Sequence, residues 1–153
     1  MFTLLITFLA SVLIWFLFLG LLILWVIDGK IKREAVLHAL FAVVLVWLLT
    51  LAVKNLFQIE RPYLLNGGDV LTLTSPLDAS FPSTHTAIAF ALATAIYLHD
   101  KKNGLVFFWG AFLVAVGRIL ANVHYPFDTI AGAALGILVA WFTGKAHLFK
   151  MLK

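Results

Sequence analysis

The sequence predicts an all-α protein, a polytopic transmembrane helix bundle of about five spans folded as a single domain over residues 1–153. Three observations predict it. Of the 153 residues, 63% are hydrophobic and only 12% are charged, against about 25% charged in soluble domains. The apolar residues gather into long runs, and roughly 20 such residues cross about 30 Å of hydrocarbon as a helix. The basic residues between the runs sort to alternate loops, as they do around membrane helices. Inside a bilayer each backbone polar group needs a partner within its own segment, so the runs are read as helices.

The elements follow in order. Residues 1–27 hold no charge at all. They lack a basic start and a small-residue cleavage site, so they read as a retained span rather than a leader. Residues 35–57 form the second span. A connection over residues 58–82 contains NGGD and TSPLD, both turn-forming. The third span covers residues 83–99, the fourth residues 104–122 and the fifth residues 126–143. No linker, repeat or low-complexity tract interrupts them. The chain has no cysteine, so disulfides, thiolate nucleophiles and cysteine metal sites are excluded. Its net charge of +4 is not gathered into one patch and does not point to nucleic acid.

Lys30, Lys32 and Arg33 follow the first span, Lys101 and Lys102 the third, and Lys145, Lys150 and Lys153 the fifth. All lie on one side of a five-span chain, which the positive-inside rule makes the cytoplasm. Lys54, Arg61 and Arg118 remain, each near the opposite, external face. One lone cation there is an ordinary snorkelling anchor. Three on the side that orientation should deplete point instead to an anion.

Other polar groups meet them at that rim. Pro82, Ser83, Thr84 and His85 open the third span, and Ser83 and Thr84 suit a helix amino terminus, which favours anions. His124 and Asp128 open the fifth span one helical turn apart. They meet directly if the turn is helical from His124, or through the cap if the helix starts at Pro126. An ion pair at about 4 Å contributes on the order of 4 kcal/mol at an effective dielectric of 20. Phosphate suits such a set, because arginine's planar fork matches its oxygens. An imidazole held at Nδ1 by Asp128 presents a nucleophilic Nε2, and His85 is placed to protonate a leaving oxygen. His38, His99 and His147 fall toward the other side and read as interfacial side chains. Asp28, Glu34 and Asp100 belong to that side too, while Glu60, Asp69 and Asp78 are scattered in the 58–82 connection. No carboxylate pair has hard-cation spacing within a span, so no metal is expected.

Three motifs carry a resemblance to a known family. Lys54 to Arg61-Pro62 reads K-x6-R-P. Pro82 to His85 reads P-S-T-H, where the family usually shows P-S-G-H. Gly117-Arg118, His124 and Asp128 read G-R-x5-H-x3-D, where the family usually shows S-R-x5-H-x3-D. Over residues 54–128 the chain resembles the type 2 phosphatidic acid phosphatase superfamily, integral-membrane lipid phosphatases related to vanadium haloperoxidases. The resemblance implies that Lys54, Arg61 and Arg118 hold the phosphate oxygens and that Ser83 and the backbone N–H of Thr84 complete the cradle. It implies that His124 becomes a phosphohistidine, that Asp128 orients it and that His85 protonates the leaving group. No cofactor is implied.

Two residues depart from the pattern: Thr84 stands for a glycine and Gly117 for a serine. The family commonly has six spans, against five here. A site at the outer membrane–water interface suits a phosphorylated lipid whose tails stay in the bilayer. Undecaprenyl diphosphate leads, followed by lipid A 1-phosphate, phosphatidylglycerol phosphate and phosphatidic acid. The expected location is a bacterial plasma membrane with the site facing the periplasm. Rival readings are a lipid phosphotransferase, a lipid-phosphate binder without turnover and a structural membrane protein. Oligomeric state is not legible.

Overall fold

A computed structural model describes residues 1–27 and 29–145, with side chains described for 1–27 and 33–145. Asp28, His147, Lys150 and Lys153 lie outside the described residues, as do the side chains of Lys30 and Lys32. The described residues are mostly helical and contain no strand. Helix α1 is Phe2–Ile27, with a π-helical turn at Phe8–Val12. Helix α2 is Gly29–Leu56, and α3 is the short Pro62–Asn66. Helices α4 (Thr84–His99), α5 (Lys101–Leu120) and α6 (Pro126–Lys145) complete the bundle.

Helix α1, residues Arg33–Leu56 of α2, α5 and α6 are long and apolar enough to cross a membrane. Their outer faces carry exposed Trp15, Phe16, Val44, Leu48, Trp109, Ile130 and Phe142. In water such a surface would drive aggregation, and in lipid it is the solvated face. The protein is an integral membrane protein. The expected third span is present as α4, but its 16 residues rise only about 24 Å. It is the central helix, packed on α2, α5 and α6.

Composition explains that central place. Ala87, Ala89, Ala91, Ala93 and Ala95 of α4 are fully buried, and small side chains let neighbouring backbones approach. Helix α6 answers with two glycines four residues apart. A Cβ on Gly132 would stand 2.6 Å from Ser83 O, and one on Gly136 would stand 2.3 Å from Ala87 O. This glycine pair clamps the start of α6 to the start of α4. Rings add a second tie: Phe81 stacks on Phe127 at 5.5 Å and meets Phe57 edge-on at 6.0 Å. The end of α2, the segment entering α4 and the first turn of α6 are thereby gathered at one end of the bundle.

The opposite end carries Arg33, Lys101, Lys102 and Lys145. Arg33 lies over Trp25 at 5.9 Å and Lys145 over Trp141 at 3.7 Å, contacts typical of cations beside interfacial aromatics. His38 corrects the interfacial reading. It is fully buried, with Nε2 2.9 Å from both Ala140 O and Thr143 Oγ1, and Nδ1 3.2 Å from His99 Nε2. If His38 Nε2–H donates to the Ala140 carbonyl, Nδ1 of a neutral ring accepts from His99. The pair joins α2, α4 and α6 at the end away from the phosphate motifs.

The clamp is testable. Gly136→Ala should cost about 1–3 kcal/mol by overpacking, because the intruding atom meets backbone. At Gly20 the nearest atom is the tip of the Phe107 ring at 3.2 Å, so Gly20→Ala should cost less. Denaturant titration in detergent micelles measures both, and equal losses would contradict the clamp.

Candidate active site

The motif residues converge at one end of the bundle. Lys54 comes from the last turn of α2, Arg61 precedes α3, and Arg118 sits in the last turn of α5. All three are buried. Proline at the first position of α3 leaves Arg61 extended, so its side chain turns inward. Arg61 Nε donates to Asp78 O at 2.8 Å, Nη1 to Val123 O at 2.8 Å, and Nη2 to Asp78 Oδ1 at 2.7 Å. Lys54 Nζ donates to Ala79 O and lies 3.0 Å from Asp78 Oδ2. Arg118 Nη1 donates to Ala10 O at 3.1 Å, while its Nε is buried without a hydrogen-bond partner among the described residues.

The Ala10 carbonyl belongs to the π-helical turn of α1, and such wide turns frequently mark functional sites. Gly117 explains the close approach. A Cβ there would stand 2.7 Å from Ala10 N and from Leu9. The position where the resembled family usually has serine is therefore a helix–helix contact in this chain.

His124 and Asp128 meet through cap geometry, since α6 starts at Pro126. His124 Nδ1 lies 3.4 Å from Asp128 Oδ2 and 3.4 Å from Ser80 Oγ. Ser80 Oγ donates to Asp128 Oδ2 at 2.5 Å, and Tyr125 N donates to the same oxygen at 2.8 Å. On the other edge of the ring, Nε2 stands 3.3 Å from Arg61 Nη1. An arginine only donates, so Nε2 accepts and the proton belongs on Nδ1. The loop before it is fixed by Asn122, held at φ 60°, whose amide exchanges bonds of 2.9 and 3.0 Å with Asn66. Burial pushes the His124 pKa down. Asp128's hydrogen bond opposes this, and the charges of Arg118, Arg61 and Lys54 reinforce it, leaving a value of about 4. The ring is neutral at neutral pH, with its lone pair on Nε2.

These groups line one cavity of about 310 Å³, with Lys54, Arg61, Arg118, Thr84, His85 and His124 on its polar wall. The two histidines share it. Thr84 opens α4, and the first amides of a helix lack helical acceptors. The apolar wall is Ile14, Trp15 and Phe18 of α1 with Trp47 and Leu51 of α2. Ser83 lies behind the polar wall. It is fully buried, its hydroxyl accepts from Thr86 Oγ1 at 3.0 Å, and it makes no side-chain cap bond. Among the described residues no group of three or more His, Asp or Glu is placed to hold a metal ion.

Two site residues escape the sequence reading. Asp78 is not scattered in its loop but paired with two of the cations. Ser80, fully buried, supports Asp128. Both lie in the turn-rich connection, where no periodicity marks a side chain as inward. The only available signal is their closeness to Pro82–His85.

The electrostatic environment is testable without substrate. Following the ring nitrogens of His124 by NMR in detergent should give a titration midpoint near pH 4. The neutral, nucleophilic form should persist above it and be lost as pH falls through it. A midpoint at or above the ordinary 6.5 would contradict the cationic, desolvated setting.

Comparison with known proteins identifies the family. The model of the PAP2 superfamily matches residues 35–151. The chain is 36% identical over 135 residues to the Bacitracin transport permease protein BcrC of Bacillus licheniformis, covering 88% of this chain and 66% of that one. It is 28% identical over 125 residues to the Undecaprenyl-diphosphatase BcrC of Bacillus subtilis, covering 79% and 62%. The chain thus spans somewhat less than two thirds of the length of these relatives. The crystal structure of Aquifex aeolicus LpxE superposes with a TM-score of 0.75 at 32% identity, covering 94% of this chain and 84% of that one. With its matched region, its fold and its motif residues gathered around one cavity, the chain belongs to the PAP2 superfamily.

Proposed function

We propose that this protein is a lipid phosphatase that works through a phosphohistidine on His124, and that undecaprenyl diphosphate is its substrate. One observation carries the reading. The Nε2 of a neutral, buried imidazole faces a cavity walled by three cations, while its Nδ1 is held by a carboxylate. In the first step the Nε2 lone pair attacks phosphorus, and the bond from phosphorus to the leaving oxygen breaks. His85, lining the same cavity and taking up a proton as the anionic substrate settles beside it, gives that oxygen its proton. Lys54, Arg61, Arg118 and the amide of Thr84 take the charge that develops on the remaining oxygens. Asp128 stabilises the imidazolium formed at His124. In the second step water attacks, His85 takes its proton, the P–N bond breaks and phosphate leaves. Ser83 serves from behind the wall, ordering the first turn of α4.

The cavity's second wall supports a lipid substrate. Trp15 and Trp47 line it and are also exposed on the lipid-facing surface, so an acyl or prenyl tail can remain in the bilayer. The relative named Undecaprenyl-diphosphatase supports the choice of lipid. The distribution of Lys and Arg supports a site on the face away from the cytoplasm, and the bacterial relatives support a bacterial plasma membrane, where that face is the periplasmic one. The relative named a transport permease keeps the non-catalytic binder as the rival, but binding alone gives no reason to hold His124 in one tautomer.

Phosphate release by purified protein in detergent tests the reading, using undecaprenyl diphosphate, lipid A 1-phosphate, phosphatidylglycerol phosphate and phosphatidic acid. Release should be fastest from undecaprenyl diphosphate, without an acceptor lipid, and unchanged by a chelator. His124→Ala should lower it by at least about a thousand-fold. Undiminished turnover in that variant, or a chelator loss restored by magnesium, would overturn the mechanism.

A further inference from the structure

The phosphate cradle is already holding an anion. Asp78 spans Lys54 and Arg61, with Oδ2 3.0 Å from Lys54 Nζ and Oδ1 2.7 Å from Arg61 Nη2. Its two oxygens contact the two cations much as two oxygens of a phosphoryl group would. Asp78 itself lines the same cavity as His124, His85 and Arg118. We propose that Asp78 is a built-in competitor for the phosphate subsite, seated on Lys54 and Arg61 between turnovers and displaced when a phosphoryl group arrives. This rests on the reading of the cavity as a phosphate site and adds a residue that sets its affinity for substrate and product.

Three features suit Asp78 to leaving and returning. Its side chain is 55% exposed, whereas those of Lys54 and Arg61 are 5% and 3% exposed. The carboxylate can therefore swing into water while the cations stay buried. The cations do not depend on it for their positions, because main-chain carbonyls hold them: Lys54 Nζ donates to Ala79 O, and Arg61 donates to Asp78 O, Ala79 O and Val123 O. A rotation about the side chain thus opens the subsite without dismantling it. The carboxylate also stays charged. Burial pushes its pKa up, but the hydrogen bond and charge of Lys54, with those of Arg61, outweigh this and hold it below the usual carboxylate range.

Competition of this kind lowers the affinity of every anion that uses the pair by the same factor, inorganic phosphate included. It raises KM, and it helps the product leave, since the returning carboxylate replaces phosphate on the two cations. Without it, two buried cations beside an empty cavity would retain phosphate and prolong product inhibition.

Calorimetric titration of inorganic phosphate into the purified full chain in detergent tests the proposal. Asp78→Asn, which keeps the shape and removes the charge, should bind phosphate roughly three- to ten-fold more tightly than the unaltered protein. Asp78→Ser should do the same, and Asp78→Glu, which restores the charge, should return toward the original affinity. In turnover assays KM and the inhibition constant of phosphate should fall together in the neutral variants. Phosphate affinity unchanged or weakened in both neutral variants would overturn the proposal, making Asp78 a prop for the cations rather than their competitor. Failure of the wider reading looks different: no lipid would release phosphate, yet the neutral variants would still bind phosphate more tightly.

Discussion

Three cations buried at one end of a helix bundle repel each other, and the structure at that end answers to this repulsion. Lys54, Arg61 and Arg118 are each nearly inaccessible to solvent. An isolated buried charge costs several kcal/mol after relaxation. The protein meets this cost with main-chain carbonyls from three places: Asp78 and Ala79 before α4, Val123 before α6, and Ala10 in the π-helical turn of α1. What is left over is the Nε of Arg118, without a partner among the described residues, and the carboxylate of Asp78, lent to the other two cations. In the proposed mechanism an incoming phosphoryl group meets the remaining demand. Burial, reinforced by the same excess of positive charge, keeps His124 neutral, so in the proposed mechanism the setting that binds the substrate also preserves the nucleophile's lone pair.

The fold's contribution is to bring four helix ends to one place. The alanine-rich α4 and the paired glycines of α6 allow contact so close that added methyl groups would strike backbone. This fixes His85, at the start of α4, relative to Asp128, in the first turn of α6. Ser83 N donates to Asp128 O at 3.0 Å and joins the two starts directly. Van der Waals packing and buried polar contacts carry this arrangement, because lipid provides no hydrophobic force between helices.

Much of the site was legible in the sequence because membrane chains impose strict accounting. Charges near spans are few, so the side on which Lys54, Arg61 and Arg118 fall is informative, and His85, His124 and Asp128 sit at positions dictated by helix starts. The remainder depended on contacts that local sequence does not encode. Asp78 and Ser80 belong to a loop whose course is set by the cations it wraps. Ser83 is at its expected cap position, yet its hydroxyl turns to Thr86. The span assigned to residues 83–99 runs from the site end to the end that carries Lys101, and its buried alanines make it a central helix surrounded by neighbours rather than by lipid. Gly117 reads as a lost hydroxyl until the π-helical turn of α1 is seen against it. His38 looked interfacial because a lone histidine gives no hint of a partner 61 residues away.

The central claim is that His124 itself attacks phosphorus. Rapid quenching of the purified protein with a lipid diphosphate carrying a labelled terminal phosphate, followed by peptide mapping under alkaline conditions that preserve phosphohistidine, tests it most directly. Transient label on His124, formed faster than phosphate is released, is the expected result. Label on His85 or on another residue, or full turnover with no labelled protein at any time, would contradict it.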